Sequence, residues 1–332
     1  MATSDLDLLL VEYGQKKRDA EFALEKRKEK IYKKIPRLEE IDEQINKISI
    51  NKTKSILINK LTNSLNTEFE NDLMKLKEER KKILEKEQID ESFFKPKYEC
   101  EKCKDTGYIT YSDKKTQMCN CLKQRLINIS YNKSNLSNLQ KENFKNFDIN
   151  RFSNEVNIEK YKMNISPREN IENIKKESQY FVENFNNADV KNLFFTGNTG
   201  LGKTFLTNCI ANELLKNGKT VLYQTAPVML DSIIDYKFGK NNEFNYNDLL
   251  NVDLLIIDDL GTENLNNIKL SELFNILNTR LLNQNHHITK TIISTNLSLN
   301  NLFKTYDERI FSRLVGYYNI CRFFGEDLRY QK

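Results

Sequence analysis

Apolar residues at Leu57, Leu61, Leu65, Phe69, Leu73, Leu76, Ile83 and Leu84 recur mostly at steps of three and four. That spacing lays one stripe along a helix. The stretch "MKLKEERKKILEKE" puts charge on the other faces, and Ile41, Ile45 and Ile48 make a similar stripe after Pro36. Residues 1–95 hold Gly14 and Pro36 and no other glycine or proline, so little interrupts a helix. The pattern predicts a helical hairpin or small bundle with coiled-coil character. Its stripe serves either ordinary packing or the docking of a partner's helices.

The pattern changes along the chain. A polar, Asn-rich stretch over 127–165, with aromatic positions at Phe144, Phe147 and Phe152, reads as a linker. Then "SPREN" opens a helix to about Phe185: Ser166 caps it, Pro167 suits the first turn, and Glu169 completes a capping box. Beyond it, short apolar runs at 190–196, 254–257 and 291–295 alternate with helical segments. This is the signature of an α/β domain with a parallel sheet flanked by helices. The expected organisation is a helical region at 1–95, a small cysteine module at 96–126, the linker, and an α/β domain at 166–332.

Composition narrows the classes. The 332 residues are 39% hydrophobic and 30% charged, with a formal net charge of +5. No run approaches a membrane span, and "MATSDLDLLLVEYGQKK" lacks the basic start of a secretory signal, so the cytoplasm is the expected location. Mild basicity permits nucleic acid as a partner without demanding it.

Four of the six cysteines crowd into "CEKCKDTGYITYSDKKTQMCNC". Cys100 and Cys103 form C-x2-C, and Cys119 and Cys121 form C-x-C. Two close thiolate pairs separated by room for a hairpin suit tetrahedral Zn²⁺ in a closed, structural site. Lys102, Lys104, Lys114, Lys115, Lys123 and Arg125 surround it with Tyr108 and Tyr111. That surface is either a nucleic-acid contact or a solvated face.

"LFFTGNTGLGKTFL" holds G-x4-G-K-T between a strand and a helix. Backbone amides over Gly197, Asn198, Thr199, Gly200, Leu201 and Gly202 would turn inward around phosphates at a helix N-terminus. Lys203 reaches the β/γ-phosphates of ATP, and Thr204 offers its hydroxyl to Mg²⁺. In "LLIIDDLGTE", Asp258 stands at a strand's carboxyl end as the Mg²⁺-side carboxylate, and Asp259 is placed to orient water. Asn296, after the strand of "KTIISTN", is placed to hold that water. Arg309 and Arg313 share a helix face in "YDERIFSRLVG", which suits an arginine finger aimed at a neighbour's γ-phosphate and hence an oligomer.

Together "CEKCKDTGY", "CNCLKQ", "GNTGLGKT", "LLIIDDLG", "STN", "DERIFSRL" and "FFGEDLR" resemble the AAA+ ATPases and, within them, the bacterial replicative helicase loaders of the DnaC/DnaI type. The resemblance runs over about residues 95–330. It implies an AAA+ P-loop ATPase domain, Asn296 as sensor I, Arg313 as arginine finger with Arg309 beside it, and Arg329 as the candidate sensor II. It also implies an N-terminal domain that grips the hexameric replicative DNA helicase, binding of single-stranded DNA, and self-association on the helicase. Three residues follow Arg329, so no C-terminal helical lid is expected. Asp259 stands where most of these ATPases carry Glu, so slow or partner-stimulated turnover is expected.

The expected function is an ATP-switched loader of the replicative helicase. Three rivals stand beside it. A transposition helper ATPase shares the core, but such helpers usually lack the four cysteines. A small-molecule P-loop kinase fits poorly with Asn296 followed by paired arginines. A non-hydrolysing zinc and coiled-coil adaptor would leave Asp258, Asp259 and Asn296 without work.

Overall fold

The computed structural model describes residues 5–57, 63–112, 114–130, 141–240, 244–283 and 288–330. The chain folds as two compact units, Met1–Cys119 and Asn120–Lys332.

The first unit is helical, as its periodicity predicts: α1 (Asp5–Lys34), α2 (Pro36–Leu57) and α3 (Asn63–Lys86). The sequence stripe is not one continuous ridge, because Leu57 ends α2 whereas Phe69, Leu73, Leu76, Ile83 and Leu84 lie on α3. Leu61 and the side chains of Leu57 and Leu65 lie outside the described residues. α2 and α3 run antiparallel, as their ion pairs require: Arg37 with Glu79 at 2.8 Å, Arg80 with Asp42 at 2.7 Å and Lys52 with Glu70 at 3.0 Å. Among the described residues, buried apolar side chains on these helices are few, namely Leu9, Tyr13, Leu24, Leu38, Ile41 and Leu84. After them a hairpin of β1 (Tyr108–Thr110) and β2 (Thr116–Met118) fills the gap between the cysteine pairs.

The second unit starts with α4 (Asn120–Ser130), whose Gln124 accepts from Val221 N at 2.7 Å and donates to Val221 O at 2.9 Å. The short α5 (Ile158–Tyr161) precedes α6 (Pro167–Glu183). Ser166 caps α6 by accepting from Glu169 N at 3.1 Å, with Pro167 in the first turn. Then β3 (Asn192–Thr196), α7 (Lys203–Lys216), β4 (Val221–Thr225), α8 (Ala226–Lys237), α9 (Tyr246–Asn251) and β5 (Leu254–Leu260) alternate. α10 (Asn267–Asn283), β6 (Lys290–Thr295), α11 (Leu299–Thr305), α12 (Glu308–Tyr317) and β7 (Tyr318–Arg322) complete it.

The five strands β3 to β7 form one parallel sheet in the order β4-β5-β6-β3-β7. Side chains of a strand point alternately to the two faces, and both faces here are apolar. Phe194, Leu222, Leu255, Ile257 and Ile293 pack with the helices α8 to α12. Leu193, Phe195, Tyr223, Ile256 and Ile292 pack with α6 and α7 on the other face. The stretch expected as a linker adds Phe147 and Phe152 to that second core, where the Phe147 ring lies 5.5 Å from that of Phe205 and the rings of Phe147 and Phe152 both lie near Gly202. Its aromatic spacing therefore serves packing beside the glycine-rich loop. No helix among the described residues is long and apolar enough to cross a membrane.

Candidate functional site

Chain order and spatial order differ in this sheet. β3, early in the chain, lies beside β6 and β7 and two strands away from β5. The carboxyl ends of β3, β5 and β6 therefore open on one crevice, the place where open α/β sheets take ligands. The loop of residues 197–202 bridges β3 to α7. Gly197 and Gly200 hold φ of 149° and 73°, and the space at each is occupied. A Cβ at Gly197 would meet Phe323 O at 2.2 Å, and one at Gly200 would meet Asp327 Oδ1 at 1.9 Å. The C-terminal segment lies on the loop: Phe323 N donates to Thr196 O at 2.7 Å and Leu328 N to Gly200 O at 3.0 Å.

Lys203, 6% exposed, begins α7. Its ammonium donates to Gly197 O at 2.7 Å, Asn198 O at 2.8 Å and Asn296 Oδ1 at 2.8 Å. Burial pushes its pKa down to about 8, against the opposing pull of Asp259 and Asp258. Thr204 Oγ1 donates to Asp258 Oδ2 at 3.3 Å. So Lys203 and Thr204 from the start of α7, Asp258 from β5 and Asn296 after β6 meet in one cluster.

Asp258 is buried and held from the two flanking strands. Tyr223 on β4 donates its hydroxyl to Oδ2, and Ser294 on β6 donates to Oδ1. Burial and the Asp258 charge raise the Tyr223 phenol well above its usual range. Asp259 lies at a bulge in the β5–β6 ladder with φ of 55°, a left-handed conformation that Asp and Asn adopt more readily than other side chains. Its carboxyl accepts from Asn296 Nδ2 at 3.4 Å. Burial, then the neighbouring Asp258, raises its pKa. Residues that the sequence motifs do not name, Tyr223 and Ser294, thus orient the acidic pair. Ser294 sits inside "STN", and Tyr223 is a polar-tipped residue in an apolar strand.

Arg309 and Arg313 both lie over the Phe274 ring of α10, at 4.8 Å and 5.4 Å from its centroid. Arg313 Nε and Nη2 each donate to Asn278 Oδ1 at 3.1 Å. Arg309 is the more exposed and pairs with Asp307 at 2.7 Å. These two arginines lie on the helix α12. Arg329 pairs with Asp327 at 2.5 Å, and its charge is close enough to help lower the Lys203 pKa.

The sulfur atoms of Cys100, Cys103, Cys119 and Cys121 lie within 4.8 Å of one another, with Cys100 and Cys119 sulfurs 3.9 Å apart. A tetrahedral site with Zn–S of about 2.3 Å has sulfur–sulfur edges of about 3.8 Å, so the cluster fits that ion. The buried Asp105 shapes the first pair: its carboxylate accepts from Glu99 N at 3.0 Å and Cys100 N at 2.8 Å. No disulfide joins the cysteines.

Comparison with known proteins fits this geometry. The family described as IstB-like ATP binding protein matches residues 123–331. The replicative helicase loader DnaC of Escherichia coli K12 is 30% identical over 144 residues, covering 43% of this chain and 57% of that protein. The DnaC of Buchnera aphidicola subsp. Baizongia pistaciae is 38% identical over 89 residues, 26% of this chain and 36% of that protein. The chain thus spans about half or less of the length of these relatives. Among solved structures, a crystal structure of the DnaC helicase loader is 20% identical with a TM-score of 0.45, covering 57% of this chain and 99% of that one. The family match extends over more than half of the chain and includes the entire lysine–carboxylate cluster, so this chain belongs to the IstB-like ATP binding protein family, with an AAA+ domain of the IstB/DnaC type.

Proposed function

We propose that this chain is an ATP-dependent loader of the hexameric replicative DNA helicase onto single-stranded DNA, at replication initiation or restart in the cytoplasm, acting as an ATP switch. The ATP half of the reading is carried by the meeting of Lys203, Thr204, Asp258, Asp259 and Asn296 at one crevice. The loader half is carried by the likeness to E. coli DnaC.

In this reading the amides of residues 197–202 and the Lys203 ammonium take the β- and γ-phosphates. Thr204 and Asp258 would hold Mg²⁺, whose charge would offset that of the phosphates. Tyr223 and Ser294 keep Asp258 turned toward that position. Asn296 exchanges its bond with Lys203 for the γ-phosphate and the attacking water. Asp259, its pKa raised, accepts that water's proton as the bond from the γ-phosphorus to the bridging oxygen breaks. Arg313, with Arg309 beside it, reaches the γ-phosphate of a neighbouring copy, and Arg329 lies near the phosphates of its own. Asp259 has less reach than Glu, which keeps turnover slow without a partner. Residues 1–95 dock the helicase. Their exposed Leu8, Val11 and Phe22 on α1 and Met74 on α3 support a surface awaiting a partner. Cys100, Cys103, Cys119 and Cys121 would hold Zn²⁺ as a staple.

The test is co-purification of the full chain with its host's replicative helicase, with and without ATP. Capture that depends on ATP and is altered by Lys203→Ala is expected. No capture under either condition would sink the loader reading. Equal capture and no ATP turnover in both proteins would favour the zinc and coiled-coil adaptor.

A further inference from the structure

Glu263 is a buried carboxylate, 8% exposed, just beyond the acidic pair. Its Oε2 accepts from Gly261 N at 2.8 Å, and its Oε1 accepts the hydroxyl proton of Tyr306. Burying a carboxylate is costly unless its oxygens are satisfied, and here one bond faces each way. On one side is the turn that follows Asp259. Asp259 O accepts from Thr262 N at 3.3 Å and from Thr262 Oγ1 at 2.8 Å, which closes that turn. Gly261 is pressed against Leu297, where a Cβ would meet Cδ1 at 2.5 Å, and Leu297 follows Asn296. On the other side is the start of α12. Tyr306, 3% exposed, caps α11 through its N–H to Leu302 O at 2.9 Å. The next residue, Asp307, caps α12 by accepting from Ile310 N at 2.9 Å, and Arg309 and Arg313 follow. Burial and the carboxylate hold the Tyr306 phenol well above its usual range, so it keeps its proton.

We propose that Glu263 and Tyr306 are a positioning pair that ties the turn after Asp258 and Asp259 to the helix presenting Arg309 and Arg313, so that the arginine offered to a neighbouring copy is held by the hydrolysis turn of its own subunit. The inference rests on the arginine acting in trans, as proposed above. It adds the physical link by which one subunit's nucleotide turn bears on the next subunit's phosphate. Buried hydrogen-bonded links between elements with distinct arrangements are the kind of contact that carries coupling.

A mixing experiment tests it on the full chain with the helicase present. The acceptor carries Arg309→Ala and Arg313→Ala and keeps Lys203. The donor carries Lys203→Ala and keeps both arginines. Their mixture is expected to recover ATP turnover that neither has alone. Adding Tyr306→Phe to the donor should lower the kcat of the mixture about tenfold, the scale on which small misplacements of a transition-state group act. The KM for ATP should not change, because only the acceptor binds it. Adding Glu263→Gln to the donor should retain most of the recovery, since the amide can accept from Gly261 and donate to Tyr306. If Tyr306→Phe does not fold, Glu263→Leu carries the same test with a similar volume. Full recovery by the Tyr306→Phe donor overturns the pair while leaving the trans arginine standing. No recovery in the plain mixture overturns the trans arginine, and the pair with it.

Discussion

At Lys203 the fold holds an ammonium in a place where its charge is costly. Three acceptors satisfy its protons, yet burial leaves its pKa at about 8. The ordinary lysine value is about 10.4, so without nucleotide the folded chain gains stability from this group as pH rises from 8 toward 10. Phosphate favours the charged form and raises the pKa again. ATP affinity should therefore be level below about pH 8 and fall above it, by up to about tenfold per unit, until the bound-state pKa is passed. Titrating a fluorescent ATP analogue from pH 6.5 to 9.5 reads this directly, and a profile flat to the upper end would contradict it. Tyr223 offers a second measurement. Tyr223→Phe removes one of the donors that fix Asp258, and the Mg²⁺ concentration for half-maximal turnover should rise about tenfold. An unchanged Mg²⁺ dependence would leave the tyrosine a packing residue. That Lys203, Thr204, Asp258 and Asn296 meet was legible in the sequence, because their motifs place each at a strand's carboxyl end or at the helix start that follows one. Tyr223, Ser294 and Phe274 were not legible, because their work depends on which strands and helices become neighbours.

The helix α6 shows how local chemistry sets an element's start. Ser166 accepts from Glu169 N, Pro167 needs no partner for a missing N–H, and the buried stripe of Ile171, Ile174 and Phe181 begins at once. Ser166→Ala should cost about 1 kcal/mol, seen as a lower urea midpoint with the slope unchanged. A loss much smaller than that would mean water replaces the cap. The strands β3, β5 and β6 were equally legible, since buried parallel strands are short continuous apolar runs, whereas β4 and β7 mix polar with apolar positions and the pattern did not single them out. The N-terminal region was legible as a helical hairpin or bundle, but its stripe did not show where one helix ends and the next begins. Apolar spacing of three and four carries across the end of α2 at Leu57, and nothing in a stripe marks a reversal of direction. The aromatic positions at Phe147 and Phe152 were hidden for the opposite reason, being scattered through polar sequence with no period to declare their burial.

At the scale of the whole molecule the two units are built differently. The sheet unit has apolar cores on both faces, whereas the helical unit, among the described residues, rests on a handful of buried side chains and on ion pairs that are mostly exposed. Exposed pairs contribute little each, so a metal staple after the helices would add stability that their core does not supply. Protein purified without chelator should carry about one Zn²⁺ per chain, and Cys100→Ser should lower that ratio. A ratio well below one in the unmutated protein would remove zinc from the account while leaving the P-loop site intact.

The left-handed backbone at Asp259 bears on how this chain can change over generations. A single-base mutation converts Asp to Glu and would, in the proposed mechanism, lengthen the reach toward the attacking water. The same mutation places a longer, less tolerant side chain at φ of 55°, where L-residues carry a penalty of about 1–2 kcal/mol and Asp is among the best adapted. Handedness therefore screens substitutions here before catalysis can, and selection for speed meets a toll in foldability. A lineage under that constraint holds Asp at this position unless the bulge itself is rebuilt.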